Sequence, residues 1–233
     1  MKIFAISDLH LSFSGDKPMD IFGEVWVDHF TTIEKNWNAV VTDDDVVLVA
    51  GDISWAMNLD NARVDLAVFS RLRGRKIIIR GNHDYWWSSY SKVKAALPDG
   101  VTALQNNAVK IGNTVIAGTR GWTVPEKPSE QSEEDKKIFD REVIRLELSL
   151  AEANKLKKEG DALIVMTHYP PFNNKNEDSA FTALMEKYGA TKVVYGHLHG
   201  KYPYYKRTVL KNGITYHLTS CDILNLNPAL IQG

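Results

Sequence analysis

The chain has 233 residues, 44% of them apolar, enough to bury one sizeable core. Its 28 basic and 29 acidic residues leave a formal net charge of −1, which removes the electrostatic case for a nucleic-acid backbone as partner. A lone cysteine, Cys221, excludes an intrachain disulfide framework and reads as a small buried side chain, and no run of eighteen apolar residues offers a membrane span.

The opening apolar run, 2–7, is too short for a secretory segment and ends at Asp8, so a buried strand and a cytoplasmic chain are expected. A helix is predicted over roughly 20–40, a strand over 46–50, a helix over 60–72, a strand over 76–80 and a helix over 85–97. Three short runs, 102–105, 108–111 and 114–118, are joined by tight polar turns and suggest a meander. The Pro-rich, charged stretch 123–131 reads as a surface loop. Ser132, three residues before Asp135, opens the longest predicted helix, 133–159, in which Ile144, Leu148 and Ala151 space one apolar face. A strand over 163–167, a helix over 179–188 and a strand over 192–195 follow. Runs 204–211 and 214–220 flank Asn212 and Gly213, the pair that favours a type I′ hairpin turn. Parallel crossovers and hairpins together predict mixed sheets covered by helices, in one α/β domain over 1–233.

Chemistry appears at the strand ends. The first strand runs into Asp8 and His10, the second into Gly51 and Asp52, the third into Gly81, Asn82, His83 and Asp84, the next into His168, and the last into Gly196, His197 and His199. Residues at i and i+2 of an extended segment face one side, so Asp8 and His10 converge, as do His197 and His199. Glycines 51, 81 and 196 let backbones turn or approach closely. Strand carboxyl ends gather around one crevice in open α/β sheets. A single histidine is more often structural than a ligand, but five of the seven here lie just beyond predicted buried strands, with two aspartates and an asparagine. His29 and His217 fall outside the pattern and read as ordinary surface or core residues.

This set, D-x-H, G-D, G-N-H-[D/E], H and G-H-x-H in order, resembles the calcineurin-like metallophosphoesterase superfamily from Asp8 to His199. The resemblance implies a four-layer αββα sandwich of two mixed β-sheets flanked by helices. It assigns Asp8, His10 and His199 to one ion and Asn82, His168 and His197 to another, with Asp52 as the bridge and His83 left free of metal beside the substrate. Eukaryotic-type protein phosphatases carry G-D-x-x-D-R-G where this chain reads Gly51, Asp52, Ile53, Ser54, Trp55, Ala56, and lipid A pathway pyrophosphatases carry Arg where His83 stands. Uncharacterised bacterial phosphohydrolases and the cyclic-nucleotide phosphodiesterase branch are more similar.

Two cations about 3.5 to 4 Å apart suit phosphoester hydrolysis, because they generate a hydroxide at neutral pH and stabilise charge on phosphorus in an in-line displacement. Mixed imidazole and carboxylate ligands favour Mn, Fe, Zn, Co or Ni. His83 is the candidate general acid for the leaving group; Asp84 either orients it or caps the following helix. The expected substrate is a small phosphomonoester or phosphodiester, with nucleotides included. Arg80 is a candidate phosphate clamp, and Trp55 and Tyr85 are candidate substrate contacts among the aromatics that also include Trp86, Trp87, Trp122 and Tyr169. Core packing is the competing reading for these rings. A non-catalytic metal-binding scaffold or a nuclease are the alternative functions; a scaffold is expected to lose ligands, and none is missing. Substrate identity, native metal and oligomeric state are not legible in the sequence.

Overall fold

The computed structural model describes residues 1–15, 17–200 and 206–233. Short runs of β-branched and aliphatic residues form two sheets. The first contains β1 (Ile3–Ala5), β2 (Val46–Val49), β3 (Arg75–Ile78) and β4 (Val101–Ala103), all parallel, with β11 (Ala229–Gln232) antiparallel to β1, in the order β11-β1-β2-β3-β4. The second contains β5 (Ala108–Ile111), β6 (Thr114–Thr119), β7 (Ala162–Thr167), β8 (Lys192–Tyr195), β9 (Thr208–Lys211) and β10 (Ile214–Leu218), in the order β5-β6-β7-β8-β10-β9. Its inner strands β6, β7, β8 and β10 are parallel, and β5 and β9 close its edges as antiparallel hairpin partners.

The period of two along each strand sorts its side chains into different cores. Val46 and Leu48 point between the sheets, where they meet Ile164, Met166 and Val194. Val47 and Val49 point outward, onto Phe30, Ile33 and Trp37 of α1 (His29–Val40) and onto residues of α2 (Leu59–Leu66) and α3 (Tyr90–Ala96). Val115, Ala117 and Val165 face outward from the second sheet onto Leu146, Leu150 and Ala153 of α4 (Glu133–Leu156) and onto Phe181 and Met185 of α5 (Ala180–Lys187). The result is the expected four-layer αββα sandwich of mixed sheets. No helix among the described residues is long and apolar enough to cross a membrane.

Several elements depart from expectation. The helix predicted over 20–40 starts only at His29, because Gly23 at φ 124° and Asp28 at φ 45° interrupt the right-handed path; two short 3-10 turns precede it. The helix predicted over 85–97 is shortened to Tyr90–Ala96. These three runs form no meander, since β4 pairs with β3 in the first sheet while β5 and β6 make a hairpin in the second. Ile144 and Leu148 are exposed at 60% and 51%; the buried face of α4 runs through Glu142, Leu146, Ser149, Leu150 and Ala153. Other details follow the sequence. The Ser132 side chain accepts the Asp135 N–H at 3.0 Å, Asn212 and Gly213 both adopt positive φ in the hairpin turn, and Cys221 is fully buried. Residues 204 and 205 of the predicted strand lie outside the described residues, and its observed part is β9.

The two sheets are drawn together at the ends where ligand-type residues collect. Beyond β1, the Ser7 N–H donates to Thr219 O at 2.7 Å and the Cys221 N–H to Ser7 O at 2.9 Å, linking the first sheet to the end of β10. Residues from six strand ends are thereby brought around one crevice.

Candidate metal centre

Asp8, His10, Asp52 and His197 all sit in the left-handed region, at φ 59°, 45°, 51° and 70°. L-residues avoid this region, and its use by several functional-type side chains in one place is the signature of a site fixed by its surroundings. Asp8 and His10 therefore converge through a sharp turn and not through the extended i, i+2 geometry expected. The glycines act as foreseen. A Cβ on Gly51 would lie 2.7 Å from Gly81 Cα, one on Gly81 would collide with Asp52, and one on Gly196 would collide with the Asp8 carboxylate.

Asp52 is the central group. Its Oδ2 lies 3.8 Å from His10 Nε2 and 3.5 Å from His168 Nε2, and its Oδ1 accepts the His83 N–H at 2.8 Å. On one side, His10 Nε2 and His199 Nε2 are 3.3 Å apart, and His199 Nε2 is 3.8 Å from Asp8 Oδ1. On the other, Asn82 Oδ1 lies 2.6 Å from His168 Nε2 and 2.9 Å from His197 Nδ1. Asp8, His10 and His199 form one cluster able to hold an ion, and Asp8, Asp52 and His168 form another. The expected ligands are thus brought together. His83 stands apart from both clusters, with its ring 5.8 Å from that of His10 and 4.3 Å from that of Trp55.

The donor set fits divalent cations. His168 Nδ1 is 2.9 Å from Ala50 O and donates its proton there, so Nε2 presents a lone pair toward the oxygens of Asn82 and Asp52. An assembly of lone pairs facing one another is repulsive unless a cation or proton lies among them. Burial lowers His168 and His197 to about 3 and holds His10 well below its ordinary value, so these imidazoles are neutral donors. Burial likewise pushes Asp8 up to about 8 and raises Asp52, since two buried carboxylates lack compensating charge. His199 goes the other way: burial opposes its charge, but the Asp222 hydrogen bond and the Asp8 carboxylate hold it up at about 9.

The surroundings divide sharply. His10, His83 and His199 open onto a cavity of about 960 Å3 whose wall includes Met19, Phe22, Trp26 and Trp55. Trp55 stacks on His10 with ring centroids 5.0 Å apart, and Trp26 meets the rings of His10 at 5.8 Å and His199 at 5.7 Å. Tyr85 is 48% exposed with its hydroxyl 3.3 Å from His83 Nδ1. Arg80 lines a separate small cavity with Arg120 and Arg145. Trp86 and Trp87 are core residues, Trp122 lies over the Arg120 guanidinium, and Tyr169 sits 4.2 Å from the His197 ring.

Asp84 neither touches the His83 imidazole nor caps a helix, because α3 begins only at Tyr90. Its buried carboxylate accepts N–H groups from Ile53, Ser54 and Gly81 and the Trp86 indole, stapling the Asp52 turn to the Asn82 turn. His29 is structural as expected, bridging Trp26 O and Leu9 O. Two contributors escaped the sequence reading. Asp222 accepts from His199 Nδ1 and from the Gly200 N–H, each at 3.0 Å; its signal was an aspartate four residues beyond β10. Trp26 was hidden in a segment with helical spacing.

Known proteins match both the sequence and the fold. Residues 1–201 match the family described as calcineurin-like phosphoesterase. A protein of Methanocaldococcus jannaschii, described as uncharacterized, is 31% identical over 98 residues, covering 40% of this chain and 52% of its own length, so the match spans about half of that relative. A phosphopantetheinyl hydrolase from Mycobacterium tuberculosis superposes with a TM-score of 0.55 at 16% identity over 97% of this chain and 90% of its own. A protein of unknown function from Aquifex aeolicus gives a TM-score of 0.52 at 15% identity, over 98% of this chain and 94% of its own. At these identities the structural likeness is one of fold. The family match is different in kind, because it spans residues 1–201 and so runs through all five strand ends that carry ligand-type residues, and on that ground the chain belongs to the calcineurin-like phosphoesterases.

Proposed function

We propose that this chain, acting as one domain over 1–233, hydrolyses a small phosphomonoester or phosphodiester at a pair of divalent transition-metal ions. In this reading Asp8, His10 and His199 hold one ion, Asn82, His168 and His197 hold the other, and Asp52 serves both. The observation that carries it is the position of the Asp52 carboxylate between His10 and His168, with neutral imidazole lone pairs on either side. When bound, such ions supply Lewis-acid stabilisation of phosphoryl charge and activate water at neutral pH.

The chain's own residues account for the rest. His83 is held by its backbone N–H on Asp52 and faces the large cavity, so its imidazole can deliver a proton to a leaving-group oxygen there. Burial lowers the His83 pKa, which makes its protonated form a stronger acid. Trp26, Trp55, Met19 and Phe22 offer planar and apolar surface to the organic part of the ester, a nucleobase or aryl group being the best fit. Asp222 fixes the tautomer and the direction of His199, and Ala50 O does the same for His168.

The test is hydrolysis of p-nitrophenyl phosphate and bis(p-nitrophenyl) phosphate by the full chain loaded with Mn, Zn or Mg, beside elemental analysis of bound metal. Turnover stimulated by a transition metal, at close to two ions per chain, and lost together with metal in Asp52→Asn, is expected. Metal-replete protein that binds no transition ion, or an Asp52→Asn variant with undiminished turnover, overturns the reading.

A further inference from the structure

Behind the Asn82 and His168 turns, two guanidinium groups share a single carboxylate and a third lines the same cavity. Glu142 of α4 is fully buried. Its Oε1 accepts from Arg145 Nη1 at 2.6 Å and from Arg120 Nη2 at 3.4 Å, and its Oε2 accepts from Thr119 Oγ1 at 2.9 Å. Arg80, just beyond β3, makes no hydrogen bond or ion pair among the described residues, and its Nε is buried. Arg120 Nε is buried without an acceptor as well. Three cations against one anion leave a formal charge of about +2, by simple addition, around a cavity of about 70 Å3 that Ser88 and Asn106 also line.

Folded proteins rarely bury guanidinium N–H groups without acceptors, since hydrogen bonds to charged groups are the most costly to leave unmade. A cavity of this size admits a few waters or one tetrahedral oxyanion. Waters would give the N–H groups acceptors but leave the like charges of Arg80 and Arg120 facing each other. An oxyanion answers both deficits, and the planar fork of arginine matches phosphoryl oxygens bidentately. We propose that this cavity is an oxyanion subsite, distinct from the metal centre, in which Arg80, Arg120 and Arg145 hold a phosphoryl group or inorganic phosphate.

The subsite is tied to the centre through the backbone. The Arg120 carbonyl accepts the N–H groups of His168 and Tyr169 at 2.9 and 3.0 Å, and Arg80 directly precedes Gly81 and Asn82. The bound group is either a second phosphoryl group of the substrate or a free phosphate ion acting on the loops that carry Asn82 and His168. Both sources present the same chemistry to the arginines.

The experiment is calorimetric titration of inorganic phosphate into the full chain carrying Asp52→Asn, so that phosphate bound at an intact metal centre does not contribute. Arg80→Gln and Arg120→Gln added to this background are expected to weaken binding at least tenfold, and Arg80→Lys less, because it keeps the charge and loses the fork. Should Arg120→Gln fail to fold, Arg80→Gln, which breaks no bond in the structure, carries the test. Without phosphate, Arg80→Gln is expected to keep or raise the melting temperature, and phosphate should then raise it less than in the parent. Phosphate affinity within twofold of the parent in Arg80→Gln, or binding that vanishes with Asp52→Asn alone, overturns the subsite. On the otherwise unchanged chain, the source follows from kinetics. A free ion predicts that Arg80→Gln removes the part of the response of bis(p-nitrophenyl) phosphate turnover to added phosphate that is not competitive inhibition at the metal centre, whereas a substrate group predicts a selective loss of kcat/KM for an ester bearing two phosphoryl groups. If no ester is hydrolysed but the arginine variants still lose phosphate, the phosphoesterase reading fails and the subsite stands.

Discussion

The aromatic cavity beside His10 and the arginine cavity behind Asn82 present opposite chemistries. Around His10 and His199 the walls are Trp26, Trp55, Met19 and Phe22, and the cavity is large; Arg80 leads directly into Gly81 and Asn82, the Arg120 carbonyl holds the His168 N–H, and the cavity that these two arginines line with Arg145 is small. One ligand set thus meets two solvents, an aromatic one and a cationic one. The contrast gives an ester a direction. Under the proposed function, its organic part gains by leaving water on the aromatic flank, and its remaining negative charge gains by facing the guanidinium flank. His83 lies against Trp55 on the aromatic side, where the proposed general acid would face the organic leaving group.

The largest test of this contrast is His83→Asn. If the leaving group departs on the aromatic flank with a proton from His83, turnover of an ester with an alkyl leaving group should fall by about 10² to 10⁴. An ester releasing p-nitrophenolate, which departs without a proton, should lose far less. Bound metal and phosphate affinity at the arginines should not change. Equal losses on both esters would remove the proton-delivery role and leave His83 as a mere wall of the cavity.

A smaller effect is expected from Asp222→Asn, which disturbs the aromatic flank from behind. The substitution keeps the shape but weakens the hold on His199 Nδ1 and the Gly200 N–H. A positioning carboxylate behind a ligating histidine is typically worth 10 to 100-fold in metal affinity. Competitive chelation should therefore show one ion held about that much more weakly, beyond the smaller stability loss of the metal-free chain, in which protonated His199 gives up its hydrogen bond to Asp222. A matching fall in the stability of the metal-free chain would mark Asp222 as structural instead.

How much of this contrast was legible in the sequence follows from which interactions are local. The candidate ligands could be picked out because each follows a short run of Val, Ile and Leu, and such runs announce their own ends. Asp8, Asp52, Asn82, His168, His197 and His199 needed no knowledge of pairing. The flanks needed it. Arg120 follows β6 with no ligand-type neighbour beside it, and it acquires meaning only when Glu142, over twenty residues onward, turns its carboxylate inward from α4. That face of α4 was misread because Ile144 and Leu148 carry the apolar period, while the buried stripe includes Glu142 and Ser149, each of which is satisfied by a partner on another element. Trp26 was absorbed into a helical pattern that Gly23 and Asp28 interrupt through their backbone angles. β4 joined the first sheet and β11 was added to it by pairings that composition does not encode.

The smallest effect, and the one that most sharpens the contrast, is expected from Trp55→Leu. Trp55 is only partly buried, its Nε1 lies 3.2 Å from Met19 Sδ, and its ring lies parallel to His10 within 21°. Leucine keeps an apolar wall and removes only the planar face, so what is lost is stacking and not general burial. Aromatic pairing of this kind is worth about 0.5 to 1.5 kcal/mol, which corresponds to roughly a 2 to 12-fold change in an equilibrium constant. The KM for bis(p-nitrophenyl) phosphate should rise by that factor, because one ring remains on the aromatic flank whichever ester bond is cut. Phosphate affinity at the arginines should stay fixed, since none of their contacts involves Trp55. A KM unchanged by Trp55→Leu would place the organic group elsewhere, and the direction assigned to the substrate would have to be reversed or abandoned even if both cavities are real.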